Sequence, residues 1–190
     1  MLINKFKYPK HIIMKKSITQ LFIIVMLLIG LNSGIYAQGA FKHKDISFDL
    51  GLGLGTNFVA PGYKSAIPPI GLNFQYGFTG TVSGGAYLGY ATSKFEAIGT
   101  NITVSYLILG IRGSYHHALN NHVDAYAGGM LGFNKTTATV EGGTGSGLSD
   151  VGIIFGGHLG AKYMLNDNFG AFGEIGYGIA YVTIGVSYKL

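Results

Sequence analysis

Ser114, His116, His117 and Asp124 are the residues of this 190-residue chain whose types and spacing come nearest to a reaction. A serine hydroxyl needs an adjacent base to become a nucleophile, and a carboxylate to orient that base. Ser114 and His116 stand two apart, so in an extended strand they share a face, as a hydroxyl and its base would need. The turn sequence Leu119-Asn120-Asn121 follows at once, and Asp124 lies just beyond it. The competing reading is an interior polar pair packed with Asp124 beside a turn, and the geometry favours it. No catalytic residue is assigned.

His116, His122 and His158 are the candidate metal ligands, but their spacing matches no compact ligand signature, so no metal is assigned. Gly51-Leu52-Gly53-Leu54-Gly55 has the glycine count of a phosphate loop without the strand–loop–helix context that such a loop needs, so no cofactor is assigned either. What remains is a set of six charges, Arg112, Lys162 and Lys189 with Asp49, Asp124 and Glu174. Their meaning depends on which way each strand faces.

The charges along the chain are sorted. Five of the 13 Lys and Arg (Lys5, Lys7, Lys10, Lys15, Lys16) lie in the first sixteen residues, and all eight acidic residues come later. From Gln38 onward that leaves 13 − 5 = 8 basic against 8 acidic side chains, a net charge of zero. The pI near 9.3 therefore belongs to the leader, and nucleic acid is not an expected partner. Met14-Lys15-Lys16, the apolar run Leu21–Leu31 and the exit Ile35-Tyr36-Ala37 predict a cleaved signal-peptide helix within residues 1–37, with Met14 as the initiator. An apolar core so short falls below the ~20 residues that span a bilayer. Residues 38–190 are the predicted domain. It is rich in glycine, Tyr and Phe and has no cysteine, so something other than disulfides must hold it.

That domain reads as eight alternating segments. The most regular is Ala180–Leu190, in which Val182, Ile184, Val186, Tyr188 and Leu190 alternate with Thr183, Gly185, Ser187 and Lys189. A terminal strand of this kind leaves an open edge, which closure against the first strand removes. The others are Asp45–Gly55, Ile70–Phe78, Val82–Ala91, Thr103–Ala118, Val123–Phe133, Val151–Leu165 and Phe169–Tyr177. Val82–Ala91 has no clear phase, because Gly, Ala and Tyr occupy both of its faces. Tight turns at Thr79-Gly80-Thr81, Leu119-Asn120-Asn121 and Asn166-Asp167-Asn168 alternate with long connections at Thr56–Pro69, Thr92–Ile102 and Asn134–Asp150. All three mature prolines are expected in the first long loop. Aromatic residues near the ends of the apolar faces (Phe48, Phe78, Tyr115, Phe133, Tyr163, Tyr188) and charges on the polar faces favour a membrane barrel over a soluble sandwich. The predicted fold is all-β, an eight-stranded antiparallel up-and-down transmembrane barrel.

The tracts YAQ at Tyr36–Gln38, LGIRGSYHH at Leu109–His117, DAYAGGMLGFN at Asp124–Asn134 and IGVSYKL at Ile184–Leu190 carry a resemblance. They resemble the small eight-stranded outer-membrane barrels of the OmpA/OmpX type, most closely the outer membrane protein β-barrel domains common in Bacteroidetes. The resemblance implies the outer membrane of a Gram-negative bacterium, outer-membrane lipids and lipopolysaccharide as surroundings, and passage through the barrel-insertion machinery. The terminal signal read by that machinery usually ends in an aromatic residue; here Leu190 stands last and Tyr188 supplies the ring. Some such barrels modify lipid A with Ser and His, but Ser114 and His116 lie beside a periplasmic turn, opposite the outer leaflet. The expected function is structural or surface-interacting and non-enzymatic, with an extracellular partner met by the long loops. A small porin-like channel, or a lipid A-modifying enzyme, is the alternative.

Phasing each strand by its charge places Arg112, Lys162, Lys189, Asp49, Asp124 and Glu174 inside. The expected pairing shares Glu174 between Arg112 and Lys162 and brings Lys189 to Asp49, plugging the lumen. An unpaired charge there would cost several kcal/mol. The same phasing turns Ala125, Ala127, Gly129, Gly157, Ala161, Ala171 and Gly173 outward as a flat strip.

Overall fold

The computed structural model describes residues 41–190 apart from 57, 59–62, 98–99 and 141–147. The expected signal peptide lies outside the described residues. Eight antiparallel strands, β1 (Ile46–Leu54), β2 (Lys64–Gly77), β3 (Val82–Ala97), β4 (Thr100–Ala118), β5 (Val123–Val140), β6 (Leu148–Met164), β7 (Phe169–Tyr177) and β8 (Val182–Lys189), form one closed barrel in chain order. The seam is β1 against β8, from Ser47 opposite Lys189 to Leu54 opposite Val182. Closure leaves no edge along the barrel wall, and a sheet immersed in lipid requires this of its backbone N–H and C=O groups.

One device makes all three tight turns. The second residue of each connection between the strands folds its side-chain oxygen back onto the backbone ahead. Thr79 Oγ1 accepts from Thr81 and Val82, Asn120 Oδ1 from His122 and Val123, and Asn166 Oδ1 from Asn168 and Phe169. Short polar side chains of this kind substitute for a backbone turn and fix the register of the strands that follow.

At the opposite end the strands are longer than the sequence suggests. β3 to β6 run 16 to 19 residues, whereas β1, β7 and β8 run only 8 or 9. The expected loops at Thr92–Ile102 and Asn134–Asp150 are mostly strand, with Ala97 already opposite Thr100. Their Ser, Thr and Lys residues look like loop because they are polar on both faces, but Thr and Val suit an extended backbone. Pro68 and Pro69 are also misplaced by the sequence reading. They lie within β2, where the register slips between Ile67 opposite Thr92 and Ile70 opposite Tyr90. A bulge tolerates residues without an N–H donor.

The surface is inverted relative to a soluble protein. Outward residues such as Ile111 (68% exposed), Ile153 (72%) and Phe155 (74%) are bare, while Asp49, Asp124, Arg112 and Lys162 are buried. Aromatic contacts ring the turn end, with Phe48 against Phe74 at 5.3 Å and Phe169 against Tyr188 at 4.8 Å between ring centroids. A sandwich would bury its apolar faces. An apolar belt around a charged interior needs lipid on the outside.

Candidate functional site

Among the described residues, chemistry-bearing side chains converge in the interior, and strand alternation puts them there. Inner glycines make the room. A Cβ on Gly71 would meet the Tyr87 hydroxyl at 2.8 Å, one on Gly160 the Tyr126 ring at 2.6 Å, and one on Gly128 the His158 ring at 2.8 Å. Phe172 lies likewise over Gly51 and Gly185. These inward glycines thus seat large rings. An eight-stranded barrel is just wide enough for such filling.

All six charges expected inside are inside, but two of the pairings differ. Arg112 and Glu174 form an ion pair across the lumen, Tyr126 donates to the same carboxylate oxygen at 3.2 Å, and the guanidinium lies 5.8 Å from the Tyr87 ring centre. Lys162 passes over Glu174 and bonds Asp49 at 2.7 Å. Asp49 also accepts from Ser187 at 2.6 Å and Asn73 at 3.0 Å, so its charge is fully engaged. Lys189 goes to Asp45 at 3.5 Å, not to Asp49. The register explains the change: Lys189 stands opposite Ser47, a step nearer the turn end than Asp49, which faces Ser187. Asp124, although opposite Lys162 in register, bonds His116 Nδ1 at 2.6 Å.

The structure assembles a Ser–His–Asp row, though not from the expected serine. His116 Nε2 meets Ser83 Oγ at 2.8 Å while its Nδ1 faces Asp124. Ser114 instead bonds His158 Nε2 at 2.9 Å and accepts from Gln75 at 3.1 Å. His117, on the alternate face, is exposed. All members of the row are at most 2% exposed, and the Phe41 ring lies flat on His116 with 3.8 Å between centroids. His116 and His158 are in the lumen while His122 sits exposed at a turn, so the three histidines do not converge. Gly51–Gly55 is strand and its exit, closed over by Pro69 and Ala180 at Gly53.

Two further closures had no counterpart in the sequence reading. At the hairpin end, Ile179 and Ala180 of the β7–β8 connection join Tyr87, Ala91, Ile108 and Met130 in a buried apolar cluster, with Phe58 and Ile154 against it. At the turn end the segment from Phe41 runs beneath the barrel, where Lys44 N donates to Gly77 O and Gly77 N to Asp45 O. Large apolar residues in short connections, Phe41 and Ile179, were the available signals. Between these seals lie two cavities of ≈ 20 Å³ each, flanking the Arg112–Glu174 pair. Tyr188 faces outward in the aromatic ring of the turn end, and Leu190 is held by Ile46 O at 2.9 Å.

Fold and surface together define an eight-stranded transmembrane β-barrel of the small outer-membrane type. The chain is similar to the N-terminal β-barrel domain of OprF from Pseudomonas aeruginosa, with 15% identity over 78% of this chain and 98% of that domain, at a TM-score of 0.51. It is also similar to Neisserial surface protein A, with 16% identity over 77% of this chain and 96% of that one, at 0.50. Both likenesses are likenesses of fold. No family model matches the chain, and neither does any curated protein.

Proposed function

We propose that the chain is a non-enzymatic outer-membrane barrel with a structural or surface-interaction role, its lumen closed and its outer hairpins presented to the surroundings. The observation that carries this reading is closure at three levels. Phe41 covers the turn end, the Arg112–Glu174 and Lys162–Asp49 pairs bridge the middle, and the Ile179–Ala180 cluster fills the hairpin end. Outer-membrane lipid, lipopolysaccharide and the barrel-insertion machinery are its surroundings and route, the last reading the Tyr188 and Leu190 segment.

A porin-like channel is the second reading, favoured by the two cavities beside Arg112, each large enough for about one water. Planar-bilayer recording separates the two. A closed barrel gives no unitary steps, and a stable open conductance of the wild type would replace this reading with the channel. The enzyme reading rests on Ser83, His116 and Asp124. Ser83 is only 2% exposed, and strand-paired backbone around that serine supplies no oxyanion donor.

A further inference from the structure

The eight basic residues of the mature domain fall into three groups. Lys42 and Lys44 stand before β1 at the turn end, and Arg112, Lys162 and Lys189 face carboxylates. The remaining three, Lys64, Lys94 and Lys135, all lie on the outward face of the hairpin extensions, and all are exposed. Lys135 is in register with Leu107, which is in register with Tyr90, in the first row past Leu88, Leu109 and Phe133 of the apolar belt. Lys64 stands directly opposite Lys94, two rows farther out.

Like charges directly opposite on neighbouring strands destabilise the pair. An anion resting between Lys64 and Lys94 reverses the sign of that interaction. Among the described side chains of this face there is no carboxylate; Glu96 stands two residues beyond Lys94, toward the hairpin tip. Between the lysine rows lies a cluster of hydroxyls, in which Oγ1 of the buried Thr92 donates to the Tyr90 hydroxyl at 3.1 Å and Tyr90 lies 3.5 Å from Ser105 Oγ. Thr103, Thr137 and Thr139 flank it in register. Cations and hydroxyls immediately above an apolar belt match the chemistry of a phosphorylated sugar whose acyl chains run down that belt.

We propose that the outward face built by Lys64, Lys94, Lys135, Tyr90 and Ser105 binds the phosphorylated saccharide headgroup of an outer-leaflet glycolipid. The inference rests on the outer-membrane reading above, which sets the hairpin end outside. The lysines hold phosphate, the Tyr90 and Ser105 hydroxyls meet sugar hydroxyls, and Ile67, Leu88 and Leu109 line the path of the acyl chains.

The test uses the refolded barrel in zwitterionic micelles, titrated with diphosphoryl lipid A, dephosphorylated lipid A and phosphatidylglycerol, with the Thr92 and Ser105 amides followed by NMR. Saturable binding of diphosphoryl lipid A is expected, weakened about fivefold for each lysine replaced, in K135Q and in K64Q/K94Q. Dephosphorylated lipid A should lose the effect. The resistance of each variant to heat denaturation on a gel checks that it is folded. Equal affinity in wild type and K64Q/K94Q overturns the proposal, as does absence of lipid A binding. Phosphatidylglycerol binding as tightly, with the same lysine dependence, overturns it too, because that result describes undirected attraction to an anionic surface. Cell fractionation separates this failure from that of the underlying reading. A chain found in the outer membrane that ignores lipid A fails here alone, whereas one absent from that membrane fails the proposed function.

Discussion

At the scale of single residues, the interior is a set of matched charges, and its energetics follow from desolvation. Removing one member of a buried pair strands the other, at a cost of about 3–5 kcal/mol, whereas removing both costs much less. Arg112→Ala should therefore destabilise the barrel more than Arg112→Ala combined with Glu174→Ala, as measured by urea unfolding in micelles. Equal losses would mean that the pair is solvated. Ser83 makes a second residue-scale test. A serine-reactive phosphonate is expected to leave the folded protein unlabelled, because Ser83 is buried and His116 lies under the Phe41 ring. Labelling that Ser83→Ala abolishes would identify an enzyme. The facing of the charges was legible in the sequence, because strand alternation leaves a charge one tolerable side. Their partners were legible only in part: the Arg112–Glu174 pair was expected and is present, whereas those of Lys162 and Lys189 were not. Lys162 and Asp49 are 113 residues apart and meet only when the barrel closes, and Ser83 lies in the strand whose phase the sequence left open.

At the scale of strands, the two faces treat the same residue type differently. Gly160 lies beneath the Tyr126 ring, whereas outward Gly173 has nothing within 4 Å of an added Cβ. Gly160→Val should cost about 1–3 kcal/mol through overpacking, and Gly173→Val should be nearly neutral; the same unfolding assay decides. Reversal of that order would reverse the assignment of inside and outside. The outward strip is real in register, with Ala125 opposite Ala161, Ala161 opposite Gly173 and Gly129 opposite Gly157. Small residues alone are weak evidence of a partner, so Gly129→Phe and Gly173→Phe are expected to leave the oligomeric state unchanged in crosslinking. Strand phase was readable wherever a charged residue anchored it, as Arg112 anchors β4. Strand length was not, because past the lipid belt both faces are polar and Thr-rich strand resembles loop. Pro68 and Pro69 were misread for a related reason: a bulge that excuses two missing donors leaves no mark in the hydropathy pattern.

At the scale of the molecule, an apolar belt surrounds an interior in which charge is paired and space is filled. The eight-stranded closure was legible because tight turns and long connections alternate and the last segment matches the first in pattern. The seals at the two mouths were not, since Phe41 and Ile179 lie in irregular segments whose paths are set by what they cover. The chain has no cysteine, so single cysteines can report both properties at once. Nitroxides attached to Thr183→Cys, Ile184→Cys and Val186→Cys of β8, with the protein refolded in lipid, would be tested for collision with oxygen and with a water-soluble nickel chelate. The expected result is high oxygen and low nickel contact at 184 and 186, and low contact with both at 183. Nickel contact at 183 would mean an open, wet lumen, and nickel contact at 184 and 186 would mean that the apolar belt does not face lipid.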